Sequence, residues 1–77
     1  MRYYLKKLRT KKKETQAKTA AAIGISQNYY CDIENGMRQK SLDLRLLVKI
    51  AEHFGVDIQW LINQELEFIN QANKVPL

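Results

Sequence analysis

Apolar residues recur every third or fourth position along this chain, and residues that start or stop helices bracket each run. Leu5 and Leu8, with Tyr4 in reach, predict a first helix over residues 2–12 whose other face is all lysine and arginine. Thr15 predicts the N-cap of a second helix over 16–23, where Ala17, Ala20, Ala21 and Ala22 combine high propensity with almost no bulk. Gly24 stands where a helix ends in a left-handed residue, Ile25 fills the turn, and Ser26 caps a third helix over 27–35 that closes at Asn35 and Gly36. Tyr30 and Ile33 share one face of that helix, so Gln27, Asn28, Cys31 and Asp32 point elsewhere.

The polar stretch "GMRQKSL" predicts a loop, after which Asp43, with Ser41 as a competing cap, starts a fourth helix over 44–54 with Leu47, Ile50, Ala51 and Phe54 inward. Gly55 stops it. Asp57 caps a fifth helix whose apolar face is Ile58, Leu61 and Ile62, with Trp60 nearby; Leu66 and Ile69 continue that stripe beyond Asn63, and "VPL" reads as a loose tail. There is no strand-like alternation, internal repeat or low-complexity linker, so the expectation is an all-α bundle of five helices, the last one extended.

A chain of 77 residues has room for one domain. The single Cys31 cannot form an internal disulfide, and with the single His53 it does not make a Cys/His zinc set, so neither bridge, metal nor cofactor is expected. No apolar run approaches the roughly 18 residues that span a bilayer, and the charged amino terminus lacks a secretory apolar stretch, which points to the cytoplasm. The formal charge is +5, but seven of the thirteen basic residues lie within 1–13 and all eight acidic ones follow. That asymmetry fits an anionic partner, nucleic acid or membrane surface, and fits equally a solvated lysine-rich face.

Residues 16–35 pair two short helices across a three-residue turn, with Ala20 fifth and Gly24 ninth in the unit, which is a helix-turn-helix pattern. Small Ala20 lets the helices cross closely. With "LKKLR", "TQ", "GIS", "IENG", "KIAEHFGV" and "WLI" in register, the chain from Leu5 to Ile62 resembles the phage-repressor and Cro-like helix-turn-helix (XRE) family of transcription regulators. The resemblance implies a compact five-helix lambda-repressor-like DNA-binding domain over 1–63, with 64–77 as helical extension and tail.

It also implies roles. The helix over 27–35 would enter the major groove of double-stranded DNA with Gln27, Asn28 and Asp32 at base edges. Glutamine and asparagine amides can pair bidentately with adenine, discriminating by about 1 to 3 kcal/mol. Gln16, Ser26, Tyr29, Arg38 and Lys40 would meet the phosphate backbone, and Arg9 and Glu34 match a pair joining the first and third helices. Lysines 11–13 are a solvated helix end or a phosphate clamp, with Lys13 the favoured clamp residue. Tyr3 and Tyr4 fit the core better than base stacking.

Two departures from the family stand out. Thr19 replaces the usual leucine while Tyr30 replaces isoleucine or valine, which reads as a volume exchange. Asp32 replaces a basic or amide residue, and either accepts from a cytosine amino group or trims non-specific binding. Cys31 reads as a small surface side chain rather than a redox switch, and His53 as packed or solvent-facing.

The function implied is a repressor binding a two-fold symmetric operator as a homodimer, with no small-molecule effector and with Trp60, Leu61, Phe68 and Ile69 as dimerisation candidates. The competing reading is a protein-interaction module, antitoxin-like or an anti-repressor partner, that uses its last helix. No Ser/His/Asp or Cys/His set and no glycine-rich phosphate loop supports an enzyme.

Overall fold

The structure, a computed structural model, describes residues 1–37 and 42–72. Among these residues five helices follow one another: α1 (Tyr3–Lys11), α2 (Gln16–Ile23), α3 (Gln27–Asn35), α4 (Leu44–Phe54) and α5 (Ile58–Ala72). Among the described residues there is no strand, and the fold is the all-α bundle expected from the helical periodicity. The Ser41 cap, Arg38, Lys40 and the "VPL" tail lie outside the described residues.

The starts of four helices are built from short polar side chains that accept an orphan backbone N–H. Thr15 accepts from Lys18 at 3.1 Å, Ser26 from Tyr29 at 3.1 Å, Asp43 from Leu46 at 2.8 Å and Asp57 from Trp60 at 3.3 Å. At the other end of α2, Gly24 adopts φ +79°, which lets Ile25 N–H return to the Ala20 carbonyl at 3.0 Å. This sharp stop turns the chain directly into α3.

Leu5, Ala20, Ile23, Tyr30, Ile33, Leu46, Leu47, Ile50 and Leu61 form the centre of the core, where α2 packs on α3 and α4, α4 on α5, and α1 on α3. Each large apolar side chain buried here stabilises by about 1.5 to 3 kcal/mol relative to exposure. Ala20, 1% exposed, occupies the place where a larger side chain would push the core apart.

Two placements differ from the sequence reading. Arg2, expected on the polar face of the first helix, is wholly buried. Leu66, expected inward, is 51% exposed, while its neighbour Glu65 is buried. The two differences share a cause. The Arg2 guanidinium donates from Nε and Nη2 to the two Glu65 carboxylate oxygens at 2.9 and 3.0 Å, and turning Glu65 inward turns Leu66 out.

The same cluster recruits four further groups. Arg2 Nη1 donates to the Ile33 carbonyl at 2.8 Å, and the Tyr4 hydroxyl and the Leu42 N–H donate to Glu65 at 2.6 and 2.9 Å. The Phe68 ring lies 4.2 Å from the guanidinium carbon. Burial, and then the bond to Glu65, pushes the Tyr4 phenol far above its ordinary pKa. α5 also passes without a break through residue 63, where the sequence placed the end of the DNA-binding domain.

Thr19 and Tyr30 are the two residues that the sequence reads as a volume exchange in the core. Both are fully buried, but Thr19 has a polar reason to be there: its hydroxyl donates to the Glu14 carboxylate at 2.8 Å.

Candidate nucleic-acid interface

Everything that presents α3 is local and short. Ser26 uses its hydroxyl on its own helix, and the next two residues, Gln27 and Asn28, project from the amino-terminal end as exposed amides. Tyr29 and Asp32 are half-buried, and each has an interaction partner of its own. Cys31 is half-buried, with the Asn35 amide nitrogen 3.5 Å from its sulfur.

Behind this edge, Glu34 anchors α3 to α1. Arg9 donates from Nε and Nη2 to the two Glu34 oxygens, each at 3.0 Å, and from Nη1 to the Glu14 carbonyl at 2.9 Å. Burial alone would raise the Glu34 pKa, but the Arg9 hydrogen bonds prevail and hold it below the usual carboxylate range. Tyr30, buried beside the same carboxylate, is pushed far above its ordinary value, first by burial and then by Glu34. Gln16, the first residue of α2, points its amide nitrogen to within 3.5 Å of Glu34. The charged pair therefore joins the start of α2 to the carboxy-terminal end of α3.

A second buried carboxylate ties the α1–α2 connection to α4. Glu14 meets His53 Nε2 at 2.7 Å, Thr19 at 2.8 Å and Lys12 Nζ at 3.7 Å, and these contacts, the His53 bond foremost, lower its pKa. Lys12 also donates to the His53 carbonyl at 2.7 Å, so it is turned toward α4. Lys13, by contrast, is exposed and holds a left-handed φ of 60°, an unfavourable conformation for a side-chain-bearing residue.

The sequence carried no sign of the Glu14, His53 and Arg2, Glu65 clusters. Their partners lie 39 and 63 positions apart, beyond any helical or turn periodicity.

A family model described as helix-turn-helix matches residues 5–61. The chain belongs to the XRE-type helix-turn-helix family. It is also similar, at 44% identity over 62 residues, to the uncharacterized HTH-type transcriptional regulator YqaF of Bacillus subtilis (strain 168), covering 80% of this chain and 76% of that protein. No solved structure matches. Membership in this family makes the chain a DNA-binding transcriptional regulator, and double-stranded DNA its partner.

Of the remaining expectations within this XRE-type chain, one is corrected by the structure. Leu61, expected on a self-association surface, is 0% exposed, because the start of α5 at Ile58 turns it into the core shared with α4. Phe68 is half-buried beneath Arg2, Ile69 is half-buried, and Trp60 keeps 40% of its surface. Among the described residues no cluster of His, Cys, Asp and Glu can hold a metal ion, and no helix is long and apolar enough to cross a membrane.

Proposed function

We propose that this regulator is a cytoplasmic repressor that binds a two-fold symmetric operator as a homodimer, α3 lying in the major groove. The observation that carries this reading is the pair of exposed amides, Gln27 and Asn28, at the start of a short helix whose other end is clamped by Arg9 and Glu34. Rigid support matters because bidentate pairing with adenine tolerates little angular error. Gln16, Ser26, Tyr29, Lys13, Arg38 and Lys40 would set the register on phosphates, and Asp32 would either accept from cytosine or discourage wrong sites.

One helix reads too few base pairs for useful specificity, so a second copy is part of the proposal. We place that pairing on the outer face of α4. Leu44 and Val48 are exposed there and lie in a shallow groove rimmed by Arg45, Lys49 and Glu52. Cations and an anion on one rim allow the surface to meet its own copy across a two-fold axis.

Selection of bound duplexes from a randomised pool at near-physiological salt tests the reading. Enrichment of a symmetric motif is the expected result. Retention without any shared motif would leave a DNA-binding chain that does not read sequence by itself.

A further inference from the structure

Tyr3, Lys7 and Lys11 succeed one another a turn apart along α1, and Trp60 and Gln64 do so along α5. Between these two stripes lies a groove of about 340 Å³ with the more buried Tyr4 and Leu8 at its floor. Its aromatic walls are open, Tyr3 being 65% and Trp60 40% exposed. Lys7 and Lys11 are exposed, and neither has an ion-pair partner among the described residues. Among the described residues no acidic side chain lines the groove: Glu65 is consumed by Arg2, and Glu67 faces the neighbouring cavity around Met1 and Phe68.

We propose that this groove docks an acidic amphipathic helix from a different protein, with apolar side chains seated on Leu8, Tyr3 and Trp60 and carboxylates meeting Lys7 and Lys11. The chemistry decides between occupants. A phosphate backbone would use the lysines and leave the apolar floor and aromatic walls wet. A second copy of this chain would bring one lysine rim against another, a like-charge arrangement that costs free energy without compensation. A helix with an apolar stripe flanked by acids satisfies floor, walls and rim together. The surface involves neither α2 nor α3, so the proposal stands apart from the DNA reading.

The test is a selection from a displayed library of helices in which both the apolar stripe and the flanking charges are randomised, with the chain as bait. Trp60, the single tryptophan, then reports binding of selected synthetic helices by its emission. The expected result is enrichment of acidic flanks, a saturable emission change, and an affinity about tenfold weaker for Lys7→Glu and for Tyr3→Ala, with duplex binding unaltered in both variants. Both side chains are exposed, and thermal melts verify that the variants fold.

Three results would overturn the proposal. One is no enrichment beyond that obtained with the Lys7→Glu bait, or enrichment of neutral or basic flanks. Another is weaker duplex binding with a shallower salt dependence in Lys7→Glu, which would assign the rim to DNA phosphates. The third is a concentration-dependent emission change without any peptide, which would assign the groove to a second copy.

Discussion

At the scale of single residues, Asn28 and Lys13 separate base reading from backbone positioning. Asn28 is exposed at the start of α3 and supports no other part of the fold in any hydrogen bond of the described residues. Asn28→Ala is expected to lose about 1 to 3 kcal/mol of preference at one base pair with non-specific binding nearly unchanged, as read by competition against single-substituted duplexes. A loss equal on all duplexes would remove it from the base-reading set. Lys13 holds φ 60°, where glycine carries no Cβ penalty. Lys13→Gly should therefore raise stability by about 1 kcal/mol in urea denaturation while lowering duplex affinity and the salt slope by roughly one counterion. Opposite signs in the two measurements are the signature of a strained residue kept for its charge.

Between elements, two buried carboxylates do what apolar packing leaves undone. Glu65 gathers Arg2, Tyr4 and the Leu42 N–H, joining α5 to α1 and to the start of α4, and Arg2 reaches on to the carbonyl of Ile33 in α3. Removing one partner strands the other in a site with no solvent, so Arg2→Met alone should cost about 3 to 5 kcal/mol. Arg2→Met combined with Glu65→Leu should cost clearly less than the two single changes added, and additive losses in that denaturation cycle would mean that the groups act separately. Glu14 gives a pH dependence of defined sign. Its folded pKa lies below the ordinary 4.5, so its stabilisation is complete above that value and disappears as pH falls through the folded one. Denaturant midpoints between pH 7 and 3 should fall less steeply for Glu14→Gln than for the parent chain, with Glu34 supplying the remaining slope.

For the whole molecule, the distribution of surface chemistry suggests a division of labour: amides at the start of α3 for bases, the mixed-charge face of α4 for a second copy, and the basic aromatic groove between α1 and α5 for a partner. Leu44→Asp with Val48→Asp alters two exposed side chains. The pair should keep a cooperative melt, remove its dependence on protein concentration, shift sedimentation toward the monomer and weaken symmetric duplex binding at least tenfold. An unchanged oligomeric state would remove α4 from the pairing surface.

Local chemistry sufficed for much of this. Helix boundaries came from caps and stops within a few residues of each other, Thr15, Gly24, Ser26, Asp43 and Gly55; the short-range pattern from Gln16 to Asn35 gave the helix-turn-helix and the amides at its edge, and six short pieces in register from Leu5 to Ile62 carried the family. Helical propensity and capping act over one or two turns, so the linear sequence contains them fully. Only the tertiary structure could pair Arg2 with Glu65, bring His53 to Glu14, sink Leu61 and lift Leu66 to the surface. Those choices depend on which face of each helix meets which neighbour. A buried charge must find its counter-charge wherever the fold places it, and no periodicity along the chain encodes that distance.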